Sequence, residues 1–176
     1  FFGLKKVDNL MCRDEMKLEE LGEKKCALFV ITPQDESPYG FIASMLYTQL
    51  FDVLYRQGEK RMAEDGLTDP SLKEHVTFYL DEMANIGVIP GFPYRLSTMR
   101  KYNISACPVY QSMAQIKKQY KDDHEGIIGN CDAMIYLGGA EASTVKMLSE
   151  KLGKATIKSH SYTSNLTHGK SGGGSE

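Results

Sequence analysis

Apolar and polar positions fall along this chain in blocks. Residues 26–32 (CALFVIT) are a continuous apolar run, as are Val76–Leu80 (VTFYL), residues 104–110 (ISACPVY) and residues 133–137 (AMIYL), the last closed by Gly138 and Gly139. Short runs of β-branched and aromatic residues bounded by polar ones predict buried strands. Between them the spacing changes to that of a helix. Phe41, Ile42, Met45, Leu46, Leu50, Val53 and Leu54 lay a wide apolar stripe along residues 39–57. Residues 58–73 are polar, carry Gly66 and Pro70, and read as a surface loop.

Shorter helices are predicted over residues 94–102, 122–130 and 141–152, and over Met113–Tyr120 with Ser112 as its N-cap. In the first of these Leu96 and Met99 face inward and Arg95, Arg100 and Lys101 outward. Gly153 is placed to stop the helix before it. Two prolines and two glycines in residues 83–93 prevent a long helix there. Residues 11–23 suggest a short strand and a helical turn, and residues 156–162 a last, edge strand. Strands alternate with helices almost throughout, which predicts an α/β fold: a mostly parallel sheet with helices on both faces. One domain is expected over residues 1–162, followed by a flexible Ser/Gly-rich tail at 163–176.

Composition narrows the class of partners. The 176 residues are 41% hydrophobic and 25% charged, with a net charge of −2. That is ordinary for a globular protein and gives no overall pull toward DNA or anionic lipid, so a DNA contact needs a local patch. Lys101, Lys117, Lys118 and Lys121 could supply one, although a solvated helix face is the commoner use of such residues. Cys12, Cys26, Cys107 and Cys131 form no CxxC pair and suit reduced, partly buried thiols. The four histidines, His75, His124, His160 and His168, have no metal-ligand spacing, and no GxSxG elbow marks a nucleophilic serine. Met45, Met83, Met99, Met113, Met134 and Met147, with Tyr110, Tyr120 and Tyr136, read as packing residues.

The one concentrated piece of chemistry is Asp81-Glu82, directly after the VTFYL run. Two carboxylates at the carboxyl end of a strand sit where open α/β sheets bind ligands, in the form of a Walker B segment. The first acid would hold Mg²⁺, usually through water, and the second would polarise an attacking water. The plainer use of acids in that position is to cap the next helix.

Several stretches follow one another in a familiar order: KKCALFVITPQDESPYGFIASMLYTQLFDVLY, VTFYLDEMANIGVIPGF, STMRKYNISACPVYQSMAQIKKQY, IIGNCDAMIYLGG and LSEKLGKATI. Together they resemble the carboxy-terminal half of the nucleotide-binding domain of type IV coupling proteins, the conjugative-transfer ATPases of the TraG/TraD type. The resemblance implies a RecA-like fold, ATP hydrolysis with Mg²⁺, and a hexamer on the cytoplasmic side of the inner membrane, anchored by upstream segments. It also implies delivery of DNA and its relaxosome proteins to a type IV secretion channel. On this resemblance Asp81 takes the Mg²⁺ role and Glu82 the water-activating role. Gln111 ends the strand beside the Walker B strand and senses the γ-phosphate, and Arg100 is similar to an arginine finger that reaches a neighbouring subunit's nucleotide. A different use stays open: a non-catalytic recognition module for a TraM-type relaxosome protein. A pilus-assembly or chromosome-pumping motor of the same superfamily is a more distant alternative.

One departure from the family stands out. No P-loop of the form GxxxxGK[ST] is present. Gly169-Lys170-Ser171 is not one, because Ser164 stands where the first glycine belongs and no apolar strand precedes it. The resemblance puts the P-loop upstream of Phe1, so the RecA-like sheet is expected to be incomplete. The isolated chain is then expected to bind ATP very weakly, to leave it unhydrolysed, and to expose apolar strand edges that favour association.

Overall fold

In the computed structural model, residues 16–32 and 40–155 are described. The core is built on one long helix, α1 (Gly40–Asp65), whose buried residues Ala43, Tyr47, Leu50, Phe51, Leu54 and Gly58 recur every three or four positions. The helix runs well past the expected end near residue 57. Lys60–Glu64 and Arg61–Asp65 pairs, each four apart, support the added turns. Gly58 is helical for a packing reason: a Cβ there would stand 2.5 Å from the Pro70 carbonyl oxygen and 2.8 Å from the Tyr102 ring.

Two strands pack on α1. β1 (Val76–Leu80) and β2 (Ile104–Pro108) run parallel, with Val76 opposite Ile104 and Leu80 opposite Pro108. Their connection holds the single turn α2 (Met83–Ile86), then α3 (Phe92–Thr98) and a 3-10 turn at Met99–Tyr102. After β2 come α4 (Met113–Tyr120), a 3-10 turn at Lys121–Asp123, α5 (His124–Gly129) and α6 (Ala142–Leu152). Phe51 stacks on Phe78 of β1 with ring centres 4.4 Å apart and meets Phe92 of α3 at 6.1 Å; Phe92 in turn meets Tyr120 of α4 at 6.2 Å. One aromatic row thus ties helix, strand and both later helices together.

The chain is α/β, with a parallel strand pair and helices, as the alternation of elements predicts. The sheet is smaller than expected. Residues 26–32 and 133–137 belong to no strand, and Phe29, Ile31, Ile135 and Leu137 are each more than four-fifths exposed. The physical reason is that a strand is defined by its neighbour. An apolar, β-prone run without a partner's N–H and C=O groups beside it has no ladder to join. β1 itself buries Phe78 and Leu80 while Thr77 and Tyr79 face outward, so only one face of the pair is covered among the described residues.

Other readings are corrected locally. Arg95 turns inward rather than outward: its guanidinium pairs with Asp52 at 2.8 Å and lies over the Phe51 and Tyr55 rings. Ser112 occupies the N-cap position of α4 but makes no side-chain capping bond. Met45, Met134 and Tyr136 are exposed rather than packed. Cys26 and Cys107 are exposed free thiols, and Cys131 is half-buried. The helical turn expected within residues 11–23 is the 3-10 turn Leu18–Glu20. Gly153, with φ 75°, ends α6 as expected. The edge strand at 156–162 and the tail at 163–176 lie outside the described residues. No helix among those described is long and apolar enough to cross a membrane.

Candidate functional site

β1 carries Asp81 and Glu82 out at its carboxyl end, and the parallel pairing brings the end of β2 alongside. The main chain around the two acids is pinned on both sides. Val109 N–H donates to the Leu80 carbonyl at 3.0 Å, and Met83 N–H donates to the Val109 carbonyl at 3.1 Å. Between these bonds the chain must turn within two residues, and Glu82 takes left-handed values, φ 52° and ψ 46°. Left-handed backbone is uncommon outside glycine and persists where neighbouring bonds over-determine it.

Side-chain amides hold the Glu82 carboxylate from two directions. Gln111 Nε2 donates to Oε1 at 2.7 Å, and Asn85 Nδ2 donates to Oε2 at 2.9 Å. Glu82 stands at the N-cap of α2 yet makes no capping bond, so its carboxylate serves the amides rather than the helix end. Asp81 is exposed, and its carboxylate has no hydrogen-bond or ion-pair partner among the described residues. Asp81, Glu82 and Gln111 therefore share one end of the strand pair, with Glu82 and Gln111 in direct contact.

A row of glutamines secures this end. Gln115 and Gln119 are spaced by four on α4, and Gln111, four residues earlier, lies just before the helix begins. Gln115 bonds Gln111 twice, its Oε1 accepting from the Gln111 N–H at 2.9 Å and its Nε2 donating to Gln111 Oε1 at 3.3 Å. Gln119 Nε2 donates to the Met83 carbonyl at 3.1 Å and also to the Gly87 carbonyl, while Tyr110 donates to Gln119 Oε1 at 2.9 Å. Ile89 N–H donates to the Tyr120 hydroxyl at 3.1 Å, and burial pushes that phenol up to about 12. Burial raises the Tyr110 phenol as well. Residues 83–89 are thereby strapped to α4. Asn85 and Gln115 escaped the sequence reading, although the 111–115–119 spacing was available as a signal.

Arg100 is elsewhere. It sits in the 3-10 turn before β2, so the strand's length, roughly 17 Å for five residues, separates it from Glu82. It lines a shallow groove with Asp69, Ser71, Ser97, Thr98 and Lys101. Of the three cations considered together, Arg95 is locked on α1 and Lys101 lies over the Tyr102 ring, whereas the Arg100 side chain is exposed and makes no ion pair among the described residues. His75 is held by Asn103 and Ser105, a structural use. No group of three or more metal-ligating side chains occurs among the described residues.

A family described as the TraM recognition site of TraD and TraG matches residues 75–176, more than half of the chain. The chain belongs to the TraG/TraD family. The matched span begins one residue before β1 and so contains Asp81, Glu82, Asn85, Arg100, Gln111 and Gln115. No curated protein and no solved structure matches the chain.

Proposed function

We propose that this chain is the hydrolytic half of the nucleotide site of a conjugative coupling protein, an ATP-driven DNA translocase that links a relaxosome to a type IV secretion channel. The observation that supports it best is the 2.7 Å contact between Gln111 and Glu82 just beyond the carboxyl ends of two parallel strands, beside an exposed Asp81 that has no partner among the described residues. In this reading the strands are part of a RecA-like sheet and Asp81 would hold Mg²⁺ through water. A single exposed carboxylate suits that ion, which keeps several waters and takes its other ligands from substrate phosphates. Bound there with ATP, Mg²⁺ would supply neutralisation of charge on the phosphoryl oxygens.

The chain's own residues do the rest. Glu82, presented by its left-handed turn, accepts a proton from an attacking water and orients it. Gln111, already touching Glu82, links the base to the position of the terminal phosphate. Arg100 lies too far from its own Glu82 to act there. Its exposed guanidinium would serve a neighbouring subunit in a ring, where a planar bidentate cation meets phosphoryl charge well. The phosphate cradle is not supplied by these residues.

The test is ATP turnover by a version extended upstream through a P-loop, with and without single-stranded DNA, beside its Glu82→Gln variant. Turnover that rises with DNA and falls at least about 100-fold in Glu82→Gln supports the reading, that being the usual scale for loss of a general base. Equal, negligible turnover in both folded proteins refutes it.

A second reading is favoured by the family match itself: recognition of a TraM-type relaxosome protein through residues 75–176. Binding of such a protein to this chain, measured by calorimetry and unchanged in Glu82→Gln, would support recognition independently of the acid pair.

A further inference from the structure

The bonds around Glu82 have a direction that is set from both ends. The Gln111 main-chain N–H can only donate, and it donates to Gln115 Oε1. That leaves Gln115 Nε2 as the group facing Gln111 Oε1, so Gln115 donates. Gln111 must then present its Nε2 to Glu82, whose carboxylate can only accept. A donor-only group at one end and an acceptor-only group at the other leave one consistent orientation for both amides between them.

We propose that Gln115 is a positioning residue that fixes the polarity of this relay, so that Gln111 offers Glu82 a donor and never its own oxygen. Asn85 completes the hold from the other side at 2.9 Å. The consequence for hydrolysis rests on the nucleotide reading above: Gln111 keeps the base carboxylate oriented, and α4 sets Gln111 through Gln115. The geometry itself does not depend on that reading.

Gln115→Glu breaks the polarity with little change in shape. The carboxylate introduced at 115 still accepts from the Gln111 N–H, but its second oxygen then faces Gln111 Oε1. Gln111 relieves that repulsion by turning its amide over, which brings its oxygen against Glu82. The contact between 111 and 82 is lost. Adding Glu82→Gln reverses the far end of the relay, because the amide introduced at 82 can donate to Gln111 Oε1. The contact then returns with its direction inverted.

The experiment is NMR on the labelled chain alone, following nuclear Overhauser contacts of the Gln111 carboxamide protons. In the native sequence these protons, bonded to Glu82 Oε1 at 2.7 Å, are expected to show contacts to the Glu82 methylenes. In Gln115→Glu those contacts vanish and contacts to position 115 replace them, while main-chain signals of the core at Phe51 and Leu80 stay in place. In the Glu82→Gln, Gln115→Glu double variant, contacts between positions 82 and 111 reappear, now from the amide protons at 82. Unchanged Gln111–Glu82 contacts in Gln115→Glu, or no return in the double variant, overturns the proposal. Because no nucleotide is present, this result is independent of the nucleotide reading.

Discussion

At the scale of single residues, several positions carry conformations or charges that can be tested one by one. Lys121 follows α4 with φ 47° and ψ −120°, a region that glycine visits without strain and lysine does not. Its side chain is exposed, so Lys121→Gly removes strain and little else. We expect a stabilisation of about 1 kcal/mol, read as a raised urea midpoint with an unchanged slope. Glu141 begins α6 by accepting from the Ser143 and Thr144 amides at 3.0 and 2.9 Å, and from both hydroxyls. Those bonds, the Thr144 hydroxyl first, hold its carboxyl down to about 2 from 4.5. A lowered folded value means that the carboxylate's contribution is complete above pH 4.5 and is lost as pH falls toward 2. Protection of the Ser143 and Thr144 amides, taken relative to the intrinsic exchange rate at each pH, should therefore fall across that window, and in Glu141→Ala it should already be low at neutral pH. Tyr120 has the opposite sign. Its raised value keeps stability intact below pH 10 and removes it between 10 and about 12, as a denaturation series at alkaline pH will report.

At the scale of elements, what matters is which local patterns had a partner. VTFYL and the run from Ile104 were legible because each is short, β-prone and followed by a helix, and the two form a parallel pair in register. CALFVIT and AMIYL are likewise short apolar runs and form no strand, since an apolar run does not provide the neighbouring main chain that a ladder requires. The end of α1 was hidden for a different reason. The apolar stripe stops near Leu54 and a glycine follows, yet that glycine is where Pro70 and Tyr102 come closest to the helix. Gly58→Ala should accordingly destabilise by about 1–3 kcal/mol, measured by urea unfolding, although alanine favours helices in isolation. Arg95 was misplaced because a long side chain can cover aromatic rings with its stem and keep its charge on Asp52. The acid pair was legible from its position after a strand. That Gln111 would lie beside it came from the resemblance, and the contacts of Asn85 and Gln115 depend on the turn geometry at Glu82, which no spacing rule announces.

At the scale of the whole molecule, two apolar segments and one face of the strand pair are uncovered among the described residues. Surfaces of this kind associate. We expect light scattering to show concentration-dependent self-association of the chain, reduced in the Ile31→Asp, Ile135→Asp double variant. A monodisperse monomer at every concentration would contradict that. The described residues bring Asp81, Glu82 and Gln111 to one end of the sheet, while a glycine-rich cradle for phosphate is not among them, so on the proposed reading calorimetry of the chain alone should show very weak ATP binding.

If Glu82 and Gln111 act as one unit in hydrolysis, as proposed, a double-mutant cycle on ATP turnover will show it. A version extended upstream through the proposed P-loop is measured as wild type, Glu82→Gln, Gln111→Ala and the double variant, with DNA present. Groups that act together lose their effect together. We expect each single variant to slow turnover severely and the double variant to be no slower than Glu82→Gln alone. Losses that multiply, or a Glu82→Gln protein that turns over ATP at the wild-type rate, would contradict the claim.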